Sequence, residues 1–204
     1  MSKVVTRTAF LTELANRRRD EVVVTTMGVV RPWGLISDEP LDFASADSAM
    51  GHAADFALGI ALARPRRRVI CLNGDGSMLM SLGTLVTVIA SGVDNLVLVV
   101  MENRTYEITG NQSIPGNTTT DFVGMARAAG FPQAFRIDEP DKLERGVNDL
   151  LKADGPVFCS VQVDPGDEGP ISRSANEEAR YLKNSLAESA RRLRKALSAR
   201  PTSS

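Results

Sequence analysis

Four short apolar runs, separated by segments with a helical pattern, constrain the fold of this chain most strongly. EVVVTT at 21–26, RVICL at 68–72, NLVLVVM at 95–101 and PVFCSVQV at 156–163 contain few polar side chains and have the length of strands. Strands that are apolar on both faces are typical of parallel sheets covered by helices. The sequence therefore predicts an α/β fold, with a parallel β-sheet and helices on both faces.

The segments between these runs supply the remaining predicted elements. Thr8 is the expected cap of the first helix. The polar clusters that follow the strands should meet at one edge of the sheet, because such sheets bind ligands beyond the carboxyl ends of their strands. Helices are predicted over 8–19, 50–63, 81–91, 121–129 and 140–153, and further strands over 41–45 and 134–137.

The composition changes after Pro170. Residues 1–170 are predicted to form one domain, and residues 171–204 a C-terminal extension with a basic amphipathic helix over 177–197. This helix would pack on its own domain or dock on a partner chain, and the pattern favours the first. Its apolar stripe would consist of Leu182, Leu186, Ala190, Leu193 and Leu197.

Composition also excludes several classes of protein. The formal net charge of −1 argues against nucleic-acid binding through bulk charge. Two cysteines, Cys71 and Cys159, are too few for a Cys-ligated zinc site or iron–sulfur cluster built from this chain alone. No apolar run has the length of a membrane span, and no signal peptide follows Met1. We therefore expect a cytoplasmic protein with no nucleic-acid or membrane partner.

The most informative motif is Gly74-Asp75-Gly76-Ser77, at the end of a predicted strand. Gly74 and Gly76 let a ligand approach the backbone, and Ser77 is expected to open a helix whose N–H groups favour phosphate. Asn103 follows the next long strand, and 26 residues lie between Gly76 and Asn103. Asp75 and Asn103 would thus supply two hard oxygen ligands to Mg²⁺, with diphosphate oxygens completing its shell.

This spacing resembles the signature of thiamine diphosphate enzymes, in which GDG is followed, after one helical crossover, by two asparagines. Here Glu102 replaces the first asparagine and Asn103 retains the second. The resemblance covers about residues 20–165 and implies thiamine diphosphate and Mg²⁺ as cofactors. It implies three metal ligands: the side chains of Asp75 and Asn103 and the backbone carbonyl of Thr105.

Further segments are similar to phosphonopyruvate and sulfopyruvate decarboxylases. They are TTMG at 25–28, SAMGHA at 48–53, ALGIALA at 57–63 and NRTYEITGNQ at 103–112. A small 2-oxo acid is the substrate that this resemblance implies. In that subgroup a Ser-Arg-Glu triplet follows the first of these segments, and here only Arg31 of the triplet is present. The cofactor-binding residues that the resemblance implies are Thr26, Gly28, Ser48, Met50, Gly74, Asp75, Gly76, Ser77, Asn103, Thr105 and Tyr106.

Three residues are candidates for catalysis: Met50, His52 and Glu107. The resemblance implies that Met50 lies beneath the cofactor and holds its two rings in a bent arrangement, while the Ser48 carbonyl accepts a hydrogen bond from the 4′-amino group. From the residues alone, Met50 also fits a core position, His52 a structural or solvent-facing one, and Glu107 a solvated loop carboxylate.

In this family the carboxylate that activates the cofactor belongs to a separate pyrimidine-binding domain, usually N-terminal on the same chain. Only residues 1–20 precede the first predicted strand here. The resemblance therefore implies one subunit of a split 2-oxo acid decarboxylase. Its partner would be a pyrimidine-binding-domain subunit, in a hetero-oligomer with two or more copies of each chain.

Two other functions stay open at this point. One is a subunit of a carboligase of the acetohydroxyacid synthase type, in which bond formation with a second carbonyl compound follows. The other is a cofactor-binding module without enzymatic activity. Subunits of oxo acid:ferredoxin oxidoreductases usually carry cluster-ligating cysteines, which disfavours that class.

Overall fold

A six-stranded parallel sheet forms the centre of the protein, in the order β2-β1-β3-β4-β8-β7. The structure is a computed structural model that describes residues 4–45 and 50–198. The predicted α/β class with a parallel sheet is confirmed. The strands of this sheet are β1 (Val22–Thr25), β2 (Asp42–Ala44), β3 (Val69–Gly74), β4 (Leu96–Glu102), β7 (Gln133–Ile137) and β8 (Val157–Gln162), and a small antiparallel pair consists of β5 (Thr105–Tyr106) and β6 (Gln112–Ser113).

Helices cover both faces of the sheet. They are α1 (Arg7–Arg17), α2 (Val30–Ile36), α3 (Ala53–Ala63), α4 (Asp75–Met80), α5 (Gly83–Ala90), α6 (Phe122–Ala129), α7 (Leu143–Lys152) and α8 (Leu186–Ser198). Alternate side chains of each central strand enter two separate apolar clusters, as the two-residue period of a strand requires. In β4, for example, Val97 and Val99 pack with α1, α2 and α7, whereas Leu98 and Val100 pack with α3, α5 and α6.

Two predicted helix starts are wrong. The cap of α1 is Thr6, not Thr8, because Thr6 has extended backbone and its hydroxyl accepts the Ala9 N–H at 3.2 Å. After β3, α4 begins directly at Asp75, two residues before Ser77, and a break at Ser81 separates it from α5. At that break the Ser81 hydroxyl donates to the Gly51 carbonyl, so the side chain takes part in a tertiary contact.

The predicted helix over 177–197 is also wrong in extent. Ser185 and Glu188 form a capping box, in which the Ser185 hydroxyl accepts the Glu188 N–H at 3.2 Å and the Glu188 carboxylate accepts the Ser185 N–H at 2.8 Å. This box starts α8 at Leu186. Leu182 of the predicted stripe therefore lies outside the helix, and Ala190 within it is exposed.

The C-terminal segment nevertheless packs on its own chain, as the pattern favoured. Ala179, Tyr181 and Leu182 belong to the same apolar cluster as Trp33. The buried Tyr181 hydroxyl lies 2.9 Å from the Thr25 hydroxyl and donates to the Val30 carbonyl. The division of the chain near residue 170 stays a prediction from composition.

Among the described residues, no helix has both the length and the apolar character that a bilayer span needs.

A matched pair of leucines tests this packing. Leu182→Ala should lower the free energy of unfolding by about 2–5 kcal/mol, because it leaves a cavity at a fully buried position. Leu186→Ala, at a position that is 41% exposed, should change it by no more than about 0.5 kcal/mol. Urea denaturation followed by circular dichroism measures both values. Equal, small effects would contradict the burial of residues 179–182.

Candidate active site

A cavity of about 410 Å³ lies at the carboxyl edge of the sheet. The polar clusters that follow β1, β3 and β4 converge there, which confirms the expectation from the sheet topology. Its walls are formed by residues 27–29, 74–77, 103, 105–109 and 163, together with Arg7, Met50, Met80 and Met101.

Asp75 provides a buried carboxylate at this edge. Its Oδ2 accepts the Arg104 N–H at 2.6 Å, and its Oδ1 accepts the Gly76 N–H at 2.7 Å. Burial raises the pKa of Asp75 to about 6, although the backbone hydrogen bonds oppose this shift. None of the ion pairs in residues 4–45 and 50–198 involves Asp75, so its charge is not balanced by a side-chain cation there.

Asn103 and Thr105 follow β4 and line the same cavity as Asp75. The Asn103 Oδ1 accepts the Thr105 N–H at 3.1 Å, and its Nδ2 donates to Glu107 at 2.8 Å. A carboxylate, an amide oxygen and a backbone carbonyl are hard oxygen donors, which suit Mg²⁺ completed by phosphate oxygens.

The cavity has room for a ligand beside these donors. A side-chain carbon built on Gly74 would meet no atom within 4 Å, although Gly74 lines the cavity. The described residues contain no cluster of three or more His, Cys, Asp or Glu side chains that could hold a metal without such a ligand. The donor set and the open cradle therefore fit a metal ion bound together with a diphosphate.

Two residues at the cavity have left-handed backbone: Met27 at φ +48° and Arg104 at φ +66°. Such conformations cost about 1–3 kcal/mol at non-glycine residues and are found mainly where the surrounding structure requires them. At Arg104 the conformation accompanies the hydrogen bond from its N–H to Asp75. Sequence reasoning missed both positions, because neither residue type signals a positive φ.

Glu107 is buried, so the interpretation as a solvated loop carboxylate is wrong. Its two oxygens each accept a hydrogen bond of 2.9 Å from the Arg7 guanidinium. Burial raises the pKa of Glu107, but the Arg7 hydrogen bonds and charge, with the Glu168 N–H and the Asn103 amide, lower it below its usual range. Sequence reasoning missed Arg7, which is 100 residues away on α1 and has no motif around it.

Met50 and Tyr106 both line the cavity and lie next to α4. The Ser77 hydroxyl accepts the Gly51 N–H at 2.9 Å and so holds the turn of Met50, which is half-buried, against α4. The Tyr106 ring packs on Gly76, where an added side-chain carbon would lie 2.5 Å from the ring. A glycine at position 76 is therefore required for this ring contact.

Two predicted site residues do not line the cavity, and a third lies outside the described residues. His52 is exposed at the start of α3, and its Nδ1 lies 2.9 Å from Asp55, so its catalytic role stays a prediction. Thr26 is buried beside the cavity lining, and its hydroxyl has no hydrogen-bond partner in the described structure. Ser48 lies outside the described residues.

A comparison with protein families identifies the domain. The model of the thiamine pyrophosphate enzymes, C-terminal TPP binding domain, matches residues 36–161. The chain belongs to this family. The matched range contains the GDG motif, Asn103 and most of the cavity, and thiamine diphosphate is the cofactor of the domain, as the sequence predicts.

Two curated relatives are similar over most of this chain. The sulfopyruvate decarboxylase subunit beta of Methanothermobacter thermautotrophicus is 39% identical over 149 residues, which are 72% of this chain and 76% of the relative. The phosphonopyruvate decarboxylase of Streptomyces viridochromogenes is 35% identical over 161 residues, which are 78% of this chain and 40% of the relative. The chain thus spans most of the first relative and less than half of the second.

A solved structure supports the same fold. A Mycobacterium smegmatis protein described as a thiamin diphosphate-dependent enzyme superimposes with a TM-score of 0.67 at 27% identity. The match covers 79% of this chain and 32% of that protein. The protein therefore has the α/β thiamine diphosphate-binding fold.

Proposed function

We propose that this chain is the diphosphate- and Mg²⁺-binding subunit of a thiamine diphosphate-dependent decarboxylase. The observation that carries this proposal is the meeting of Asp75, Asn103 and Thr105 at one open cavity. The similarity to a sulfopyruvate decarboxylase subunit and to a phosphonopyruvate decarboxylase supports a small 2-oxo acid of that kind as substrate. A cytoplasmic location and the lack of nucleic-acid or membrane partners stay predictions from the sequence.

The metal would be held by the Asp75 carboxylate, the Asn103 Oδ1 and the Thr105 carbonyl. Thiamine diphosphate, when bound, supplies a nucleophilic carbon and an electron sink for the loss of carbon dioxide from a 2-oxo acid. Apolar side chains in the cavity wall, among them Met27 and Val163, would limit the access of water to that carbon. The further residues that we propose for cofactor contact are Thr26, Gly28, Ser48, Met50, Gly74, Gly76, Ser77 and Tyr106.

We further propose that a partner subunit with a pyrimidine-binding domain supplies the catalytic glutamate. Met80 supports this, because it lines the cavity and yet is 61% exposed. Phe56, Leu62 and Val86 are further exposed apolar side chains on the neighbouring helices α3 and α5. An exposed apolar surface of this kind beside a cavity is typical of a subunit interface. The subunit name of the Methanothermobacter relative also supports a hetero-oligomer.

A carboligase is the second candidate function. One observation favours it: the Mycobacterium tuberculosis protein named as an acetolactate synthase large subunit, IlvB2, is 34% identical over 131 residues. That match covers 60% of this chain and 24% of the relative. A carbon dioxide assay that also measures acetolactate-type products separates the two reactions.

The metal site gives the first prediction for this function. Asp75→Asn and Asn103→Ala should each weaken Mg²⁺-dependent binding of thiamine diphosphate by at least about 10-fold. Mutation of a residue that only supports a metal ligand already causes a loss of about this size. Isothermal titration measures the affinity. Asp94→Asn is the control, since Asp94 is exposed before β4, at the other end of the strand. Unchanged affinity in both site variants would overturn the metal assignment.

Met50 gives a prediction about turnover rather than affinity. Met50→Ala in the assembled enzyme should lower kcat about 100-fold, as the loss of correct positioning can, and change cofactor affinity much less. Met125→Ala, at a half-exposed position on α6, should leave both unchanged. Normal turnover in the Met50 variant would show that this side chain is only packing.

The partner subunit gives the third prediction. The chain alone, with Mg²⁺ and thiamine diphosphate, should release no carbon dioxide from sulfopyruvate, phosphonopyruvate or pyruvate, whereas co-expression with a pyrimidine-binding subunit of the same genome should restore release. Met80→Asp should reduce co-purification of the two subunits. Leu35→Asp, an equally exposed position on the opposite face of the sheet, should not. Turnover by the chain alone would contradict the split enzyme.

A further inference from the structure

Glu107 lies between Arg7 and Asn103 and contacts both. The Arg7 Nη1 and Nη2 atoms donate to the two Glu107 oxygens, each at 2.9 Å, and the Asn103 Nδ2 donates to the Glu107 Oε2 at 2.8 Å. The Glu168 N–H adds a fourth hydrogen bond, to Oε1 at 3.0 Å. The carboxylate is thus saturated by donors and has only 2% of its side-chain surface exposed.

These contacts determine which way the Asn103 amide points. An ionised carboxylate only accepts hydrogen bonds, so Glu107 requires the Nδ2 side of the amide. The Thr105 N–H only donates and requires the Oδ1 side, which it contacts at 3.1 Å. If the Asn103 amide were rotated by half a turn, its oxygen would face the Glu107 carboxylate and its NH₂ group would face the Thr105 N–H. The remaining lone pair of Oδ1 is therefore available at the cavity.

Arg7 holds the carboxylate in this position from outside the loop. Its Nη1 also donates to the Gly28 carbonyl at 2.7 Å, which ties the turn after β1 to the same group. The guanidinium lies in a slot between two glycines. A side-chain carbon on Gly28 would lie 3.2 Å from Nη1, and one on Gly166 would collide with Nη2. The slot allows the arginine little freedom, which suits a bidentate pair.

We propose that Arg7 and Glu107 are a positioning pair, which fixes the Asn103 amide so that its oxygen faces the metal. This inference rests on the proposed function, since it concerns the Mg²⁺ site of that function. It assigns Glu107 a role other than catalysis: the carboxylate acts through Asn103 and does not touch the reacting atoms. It also explains why an N-terminal helix takes part in a site built by loops after β1, β3 and β4.

Metal binding by the full chain tests this pair directly. Mn²⁺, which replaces Mg²⁺ at oxygen sites, is titrated in the presence of thiamine diphosphate and followed by electron paramagnetic resonance. Glu107→Gln and Arg7→Met should each weaken Mn²⁺ binding about 10- to 100-fold, as loss of an outer partner of a metal ligand does. Arg7→Lys, which keeps the charge but not the bidentate geometry, should give an intermediate loss.

Two controls separate positioning from general stability. Glu177→Gln removes another bidentate Arg–Glu pair, with Arg31, outside the cavity lining, and should leave Mn²⁺ binding unchanged. Leu182→Ala destabilises the fold without touching the cavity, and should also leave Mn²⁺ binding unchanged at temperatures where the variant is folded.

The outcomes are distinguishable. Wild-type affinity in both Glu107→Gln and Arg7→Met, with lost binding in Asp75→Asn, would overturn the positioning role and leave the metal site in place. An equal loss in Leu182→Ala would also overturn it, since the effect would then be structural. A wild-type chain that binds no Mn²⁺ with thiamine diphosphate would overturn the metal site itself, and the inference with it.

Discussion

The pairing of β3 with β4 is the constraint on which the site depends. The two strands are parallel neighbours in a register that places Gly74 opposite Met101. Asp75 and Asn103 follow these strand ends directly, so two oxygen donors that are distant in sequence become neighbours without a dedicated loop. Because all six main strands are parallel, the turn after β1 joins them at the same edge. A slip of this register would move both donors and turn their strands' apolar side chains to the wrong face.

The sheet positions the donors, but it does not orient them. Orientation comes from side-chain contacts between separate elements: the Arg104 N–H on Asp75, and the contact of Asn103 with Glu107. Glu107 in turn depends on Arg7 of α1. The buried charge of Glu107 would be costly without this partner. The packing of α1, which lies on the face of the sheet opposite α3 and α5, is thereby coupled to the geometry of the cavity.

The sequence predicted the parts of the structure that depend on local pattern. Apolar runs located the main strands within about two residues, and the glycines of GDG marked the strand end that borders the cavity. The features that it did not predict depend on the path of the folded chain and on contacts between residues that are distant in sequence. Thr6 and Thr8 are the same residue type, and only the path of the chain decides which one caps α1. Nothing near Glu107 indicates burial, since its partner is 100 residues away. The capping box of Ser185 and Glu188, by contrast, is a local signal that could have been used.

The departures from the family pattern differ in their consequences. Glu102 replaces an asparagine of the signature, yet its carboxylate accepts a hydrogen bond from Ser160 on β8 and does not line the cavity. Adjacent residues of an extended chain point in opposite directions, so a change at position 102 still lets Asn103 face the cavity. Arg31, retained from the subgroup triplet, is bound by Glu168 and Glu177. Among the described residues, the one cation that lines the cavity is Arg7, which is paired with Glu107. An anionic substituent on the substrate would therefore meet no unpaired cation among the described residues that line the cavity.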